Sequence, residues 1–191
     1  MFLDIFDGVA ARVLSAQSAI GKELDSMADL ITFGVAPAVL YFNFAPSASL
    51  WYYIPSLLFL IGCALRLAIF NTLESKKTFT GLPSPAAAYF MFGIFMSMHY
   101  EVPIIVKIMS DHIGYFAIPI FLVIMMLSKL EMFSLKSMKS PWYKNYFHAL
   151  SFTSFLIVLF VNPPLAPLAA VLSYIMLASL SIRSFRKSLS K

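Results

Sequence analysis

The sequence predicts an all-α protein, a polytopic transmembrane helix bundle. Three observations carry that prediction. The chain is 60% hydrophobic and only 12% charged, about half the ~25% charge of a soluble domain. Its mean hydropathy of +0.83 is spread over repeated apolar runs close to the ~20 residues that cross a bilayer. Its basic residues gather in alternate short connections, the pattern that sets membrane topology. The 191 residues form one membrane-embedded domain over 1–191, with aspartate-bearing helices over about 1–45 and the remaining helices over about 51–184.

Seven helical segments follow in order: about 1–15, 21–44, 51–73, 84–99, 113–129, 147–161 and 165–184. The first is too short to span. Pro46, Pro83, Pro85, Pro141, Pro163 and Pro164 mark boundaries, because proline lacks a backbone donor and disfavours helix in the residue before it. Pro37, Pro55, Pro119 and Pro167 fall inside apolar runs and kink or start helices. Segment 100–112 reads equally as an interfacial helix or an external loop. The opening Met1-Phe2-Leu3-Asp4 lacks the basic and apolar regions of a cleavable signal peptide.

Charge excludes some functions and orients the bundle. The net charge of +5 is not a nucleic-acid signature, because the basic side chains sit in membrane loops. One set of connections holds Lys76, Lys77, Lys129, Lys136, Lys139 and Lys144, and the tail adds Arg183, Arg186, Lys187 and Lys191; the alternate set holds only Lys107. The positive-inside rule places the basic set, the turn between the first two helices and the C-terminus in the cytoplasm. His99, His112 and His148 form no cluster, Glu101, Asp111 and Glu131 read as solvated, and Cys63 reads as a small buried residue.

The chemistry is concentrated before residue 30. Asp4 and Asp7 are three apart, and Asp25 and Asp29 are four apart, so each pair shares a helical face. A short turn around 16–21 makes the two helices antiparallel neighbours and lets the pairs face each other. Clustered carboxylates repel and call for a cation, and oxygen-only ligands suit Mg²⁺ or Mn²⁺. Gly8 and Ala11 leave room for close helix approach or a flat nucleotide. Gly21 permits a tight turn, and Arg12 is placed to meet a phosphate bidentately. The competing structural reading is a relay of intramembrane acids for ion transport.

This stretch resembles the CDP-alcohol phosphotransferase family. The signature is Asp-Gly, two residues, Ala-Arg, eight residues, Gly, three residues, Asp, three residues, Asp. Asp7, Gly8, Ala11, Arg12, Gly21, Asp25 and Asp29 match every fixed position, and Asp4 matches an additional upstream aspartate. The resemblance implies a bundle of six or more membrane helices, often a homodimer, with its site open to the cytoplasmic leaflet. Measured against that bundle, the chain is expected to be N-terminally short by about one and a half helices. It implies two divalent ions, Mg²⁺ or Mn²⁺, held by Asp4, Asp7, Asp25 and Asp29 around the pyrophosphate of a CDP-linked lipid. It makes Asp29 the catalytic base toward the acceptor alcohol, and assigns Gly8, Ala11, Arg12 and Gly21 to nucleotide binding.

Further stretches resemble the serine-using branch of that family. These are Glu23 to Asp29, Thr32-Phe33-Gly34-Val35-Ala36-Pro37-Ala38, Arg66-Leu67-Ala68-Ile69-Phe70-Asn71 and Thr80 to Ala88. Ile69 departs from that branch, which has a second arginine there. The implied reaction joins CDP-diacylglycerol and L-serine, giving phosphatidylserine and CMP, at a bacterial inner membrane. Serine's carboxylate needs a cation, so Arg66 is the candidate contact for that carboxylate or for a lipid phosphate, with Asn71 and Ser84 as further substrate candidates. Arg66 also reads as an interfacial arginine snorkelling to the headgroups. Asn71 and Ser84 also read as capping or packing residues. The alternatives are transfer to glycerol phosphate, inositol phosphate or choline, and a cation transporter without transferase activity.

Overall fold

The computed structural model describes residues 19–72, 79–132 and 142–189. The expectations for Asp4, Asp7, Gly8, Ala11 and Arg12, and for the helix over about 1–15, lie outside these residues.

The described elements are helical apart from one short strand pair. Helix α1 (Ala19–Leu30) runs through a wide π-helical turn (Ile31–Val35) into α2 (Ala36–Phe42). A 3₁₀ turn (Leu50–Tyr52) leads into α3 (Tyr53–Thr72). Then come α4 (Ser84–His99), α5 (Pro103–Ser110), α6 (His112–Leu127), α7 (Trp142–Val161) and, after a 3₁₀ turn at Pro163–Leu165, α8 (Ala166–Leu189). Among the described residues, Glu23–Phe42 and Leu50–Thr72 are each long and apolar enough to cross a membrane; α4 and α5 together form a third apolar stretch, bent by 104°. Many large apolar side chains stay exposed, among them Ile31 at 60% and Phe160 at 87%. That surface fits a membrane protein, where lipid replaces water as the outer solvent.

Proline and polar caps set the boundaries. Pro83 is extended ahead of α4, and Pro85 occupies its first turn, where a missing N–H costs nothing. The ambiguous segment 100–112 resolves as a helix. Pro103 starts α5, and the Asp111 carboxylate accepts from the Gly114 N–H at 3.2 Å to start α6. Gly21 lies on α1, near the first of the described residues.

The core lies where α3 packs on α6 and where α4 packs on α2 and α8. Phe59, Leu82, Ala87, Tyr115, Leu122 and Met126 are fully buried there. At the end remote from Arg66, three tyrosines bond across helices. The Tyr41 hydroxyl donates to the Tyr115 carbonyl at 2.6 Å, the Tyr115 hydroxyl donates to the Tyr52 carbonyl at 3.2 Å, and the Tyr52 hydroxyl pairs with His112 Nδ1.

At the opposite end a two-residue strand pair, β1 (Phe79–Thr80) with β2 (Glu131–Met132), joins the connection before α4 to the one after α6. Gly81 continues this clip. Its φ is +76°, its N–H donates to the Leu130 carbonyl at 2.7 Å, and the next N–H, of Leu82, donates to the Met125 carbonyl at 2.9 Å. A Cβ at Gly81 would lie 2.4 Å from the Met126 carbonyl oxygen. Gly81→Ala is therefore expected to destabilise the fold by roughly 2 kcal/mol, from backbone strain plus the clash. Thermal unfolding in detergent measures it; an unchanged midpoint would contradict the clip's role.

Candidate active site

One cavity of about 220 Å³ opens between α1, α3 and the start of α4, lined by Asp29, Leu30, Phe33, Cys63, Arg66, Leu67, Phe70, Pro83, Ser84 and Pro85. Each wall has a local cause. Asp29 lies at the end of α1, half-buried, immediately before the wide turn. Arg66 lies in the last two turns of α3 and is only 7% exposed. Pro83, Ser84 and Pro85 are delivered by the strand clip and the positive-φ turn at Gly81, which tie the start of α4 to the end of α6.

Three polar groups from three elements thus meet in an otherwise apolar pocket. A carboxylate and a guanidinium in one cavity provide a proton acceptor and a fork-shaped anion partner. Apolar walls strengthen both by excluding water. The volume is below the ~300–1,000 Å³ of a pocket for a drug-sized ligand. It suits a small polar molecule or headgroup rather than a whole nucleotide-linked lipid.

The sequence candidates divide on this geometry. Asp29, Arg66 and Ser84 share the cavity. Arg66 is buried against the cavity. Ser84 makes no side-chain cap to α4, because Pro83 occupies the cap position. Asp25 and Gly21 are exposed on α1 and do not line the cavity. Asn71 is also outside it: its side-chain amide donates to Ser26 Oγ at 2.9 Å, fastening the end of α3 to α1 one residue from Asp25.

Phe33, Cys63 and the apolar liners were not anticipated. Cys63 lies three residues before Arg66, and that spacing on a helix was the available signal. No group of three or more histidine, cysteine, aspartate or glutamate side chains converges among the described residues. The carboxylates of Asp25 and Asp29 are hard oxygen donors one helical turn apart, a partial ligand set of the kind Mg²⁺ and Mn²⁺ prefer.

A buried arginine beside an acid-bearing helix, in an all-α bundle with membrane-length spans, marks a candidate functional site. The family comparison makes this specific. Residues 1–127 match the CDP-alcohol phosphatidyltransferase family model, and the chain belongs to that family. It is 43% identical over 122 residues to the CDP-diacylglycerol–serine O-phosphatidyltransferase of Bacillus subtilis, covering 60% of this chain and 64% of that protein. It is 44% identical over 94 residues to the protein of that name from Methanocaldococcus jannaschii, covering 49% of this chain and 45% of the other. With the Saccharomyces cerevisiae protein of that name it shares 38% over 104 residues, covering 49% and 37%. The matched stretch thus spans less than two thirds of each of these relatives.

Proposed function

We propose that the chain transfers the phosphatidyl group of CDP-diacylglycerol to the hydroxyl of L-serine, giving phosphatidylserine and CMP. The observation that carries this reading is the shared cavity of Asp29, Arg66 and Ser84 at the end of the family's acidic helix. The names of the relatives support serine as the acceptor.

The chemistry then assigns roles. Serine is a zwitterion, so a buried guanidinium is the natural partner for its carboxylate, and Ser84 is placed to orient it. The serine oxygen forms a bond to the lipid-side phosphorus, and the bridging bond to CMP breaks. The hydroxyl proton passes to the Asp29 carboxylate. Asp25 and Asp29, with Asp4 and Asp7, would hold two Mg²⁺ or Mn²⁺ ions. When bound, these ions neutralise the charge that develops on the departing CMP. Arg12, Gly8, Ala11 and Gly21 are the proposed nucleotide contacts. Asn71 belongs to the scaffold beside Asp25 rather than to the serine site.

The family resemblance suggests the bilayer of a bacterial inner membrane, and the distribution of lysines and arginines suggests a site on the cytoplasmic side. A homodimer is the proposed assembly, by the family resemblance.

The decisive assay is release of CMP from labelled CDP-diacylglycerol in lipid vesicles with serine, glycerol phosphate, inositol phosphate or choline as acceptor. Release with serine alone supports the reading. Release with another acceptor instead replaces serine, and cation flux without CMP release replaces the enzyme. Arg66→Ala is expected to raise the KM for serine by roughly 10–100-fold with a small effect on kcat, since a hydrogen bond to a charged group contributes about 1.5–3 kcal/mol. Arg66→Lys should recover only part of this, because an ammonium lacks the bidentate fork. An unchanged KM for serine in Arg66→Ala would remove Arg66 from the acceptor site.

A further inference from the structure

The chain meets one backbone problem in two places. Pro119, inside α6, has no N–H for the carbonyl of Tyr115 four residues back. That carbonyl instead accepts from the Tyr41 hydroxyl at 2.6 Å. Pro37, near the start of α2, has no N–H for the carbonyl of Phe33. That carbonyl accepts from the Cys63 thiol at 3.4 Å. In each case a buried side chain of another helix takes the place of the missing backbone donor.

The second case adjoins the cavity. Between Asp29 and Pro37 the helix widens into its π turn, and the Ala36 N–H reaches back to the Ile31 carbonyl. Gly34 lets α3 come close: a Cβ there would lie 3.1 Å from Leu60 Cδ1 and 3.3 Å from Cys63 Cβ. Phe33 and Cys63 line the same cavity as Asp29 and Arg66. A π turn holds one residue more than an α turn. An α turn in its place would rotate the upstream helix face by about 100° relative to α2, carrying Asp29 away from Arg66.

We propose that Cys63, together with Pro37, is a positioning residue for the transfer reaction: its thiol secures the wide turn at Phe33 that aims Asp29 into the cavity. The proposal rests on the proposed role of Asp29 at the metal and the acceptor. A thiol and a hydroxyl both donate, whereas a methyl does not, so the serine variant separates bonding from bulk.

The test uses the full chain in lipid nanodiscs, as wild type, Cys63→Ser and Cys63→Ala. Two quantities are read: serine-dependent CMP release with kcat and KM resolved, and Mn²⁺ half-saturation by electron paramagnetic resonance without serine. Cys63→Ala is expected to lower kcat about tenfold, to leave the KM for serine within about twofold, and to weaken Mn²⁺ binding about tenfold, the usual scale for losing a group that orients a ligand. Cys63→Ser should stay close to wild type in both. An equal loss in both variants would mean that the thiol only fills space, and undiminished Mn²⁺ affinity and kcat in Cys63→Ala would also overturn the proposal. If wild type releases no CMP with serine, yet Mn²⁺ binding weakens in Cys63→Ala and recovers in Cys63→Ser, positioning stands and the acceptor assignment fails.

Discussion

Asp29→Asn is expected to reduce CMP release by at least ~10³-fold with little loss of folded protein, because it would remove the proposed base and a proposed metal-binding carboxylate together. The asparagine amide has nearly the same size and shape, so the end of α1, the wide turn and the packing on α3 should persist. Asp29 is half-buried in a cavity rather than locked in the core, which limits the structural penalty. A carboxamide neither accepts a proton at neutral pH nor supplies a negative charge to a divalent ion. Rate and thermal midpoint must be measured on the same preparation. Turnover near wild type would remove Asp29 as the base. A midpoint collapsed along with the rate would show that Asp29 supports the fold instead.

Metal withdrawal is the second large effect. Excess chelator should silence transfer, and Mg²⁺ or Mn²⁺ should restore it, while Zn²⁺ should not substitute fully. Asp25 and Asp29 lie on consecutive turns of α1, and the upstream aspartates of the signature would add to the same negative field. Unscreened, that field would repel a pyrophosphate; with divalent cations it becomes a binding site for one. Oxygen ligands prefer hard ions. Activity that persists in excess chelator would contradict the metal assignment. It would leave Arg66 as the cation for the developing charge.

Much of this arrangement is legible in the sequence, for identifiable reasons. The helix read as about 84–99 is observed as Ser84–His99, because Pro83 and Pro85 punctuate its start. The span read as 51–73 is observed as Tyr53–Thr72 with a 3₁₀ lead-in, since apolar length alone defines it. The strand clip at Phe79–Thr80 and Glu131–Met132 has no periodicity to detect; two-residue strands are too short to show one.

The site was partly legible too. Asp29 and Arg66 are charged residues in apolar runs, and a charge in a membrane helix attracts suspicion on cost alone; Ser84 stands out only through the family-like stretch Thr80 to Ala88. Phe33, Leu67 and Phe70 line the same cavity but look like any lipid-facing residue, because hydropathy does not say which neighbour an apolar side chain meets. Cys63 passed as a small buried residue for the same reason. Its bond to the Phe33 carbonyl depends on a proline in another helix, and no local pattern links the two. Asn71 sits in a family-like stretch, yet it bonds to Ser26, since its place near the end of α3 points it across to α1.

The most direct test of the central claim is a structure of the full chain with Mn²⁺ and CDP-diacylglycerol, with the metal located by anomalous scattering. The expected result is Mn²⁺ bound by the Asp29 carboxylate beside the nucleotide, with the lipid-side phosphorus at the mouth of the cavity that Arg66 and Ser84 line. Manganese bound elsewhere, or Asp29 turned out of that cavity with the nucleotide in place, would contradict it.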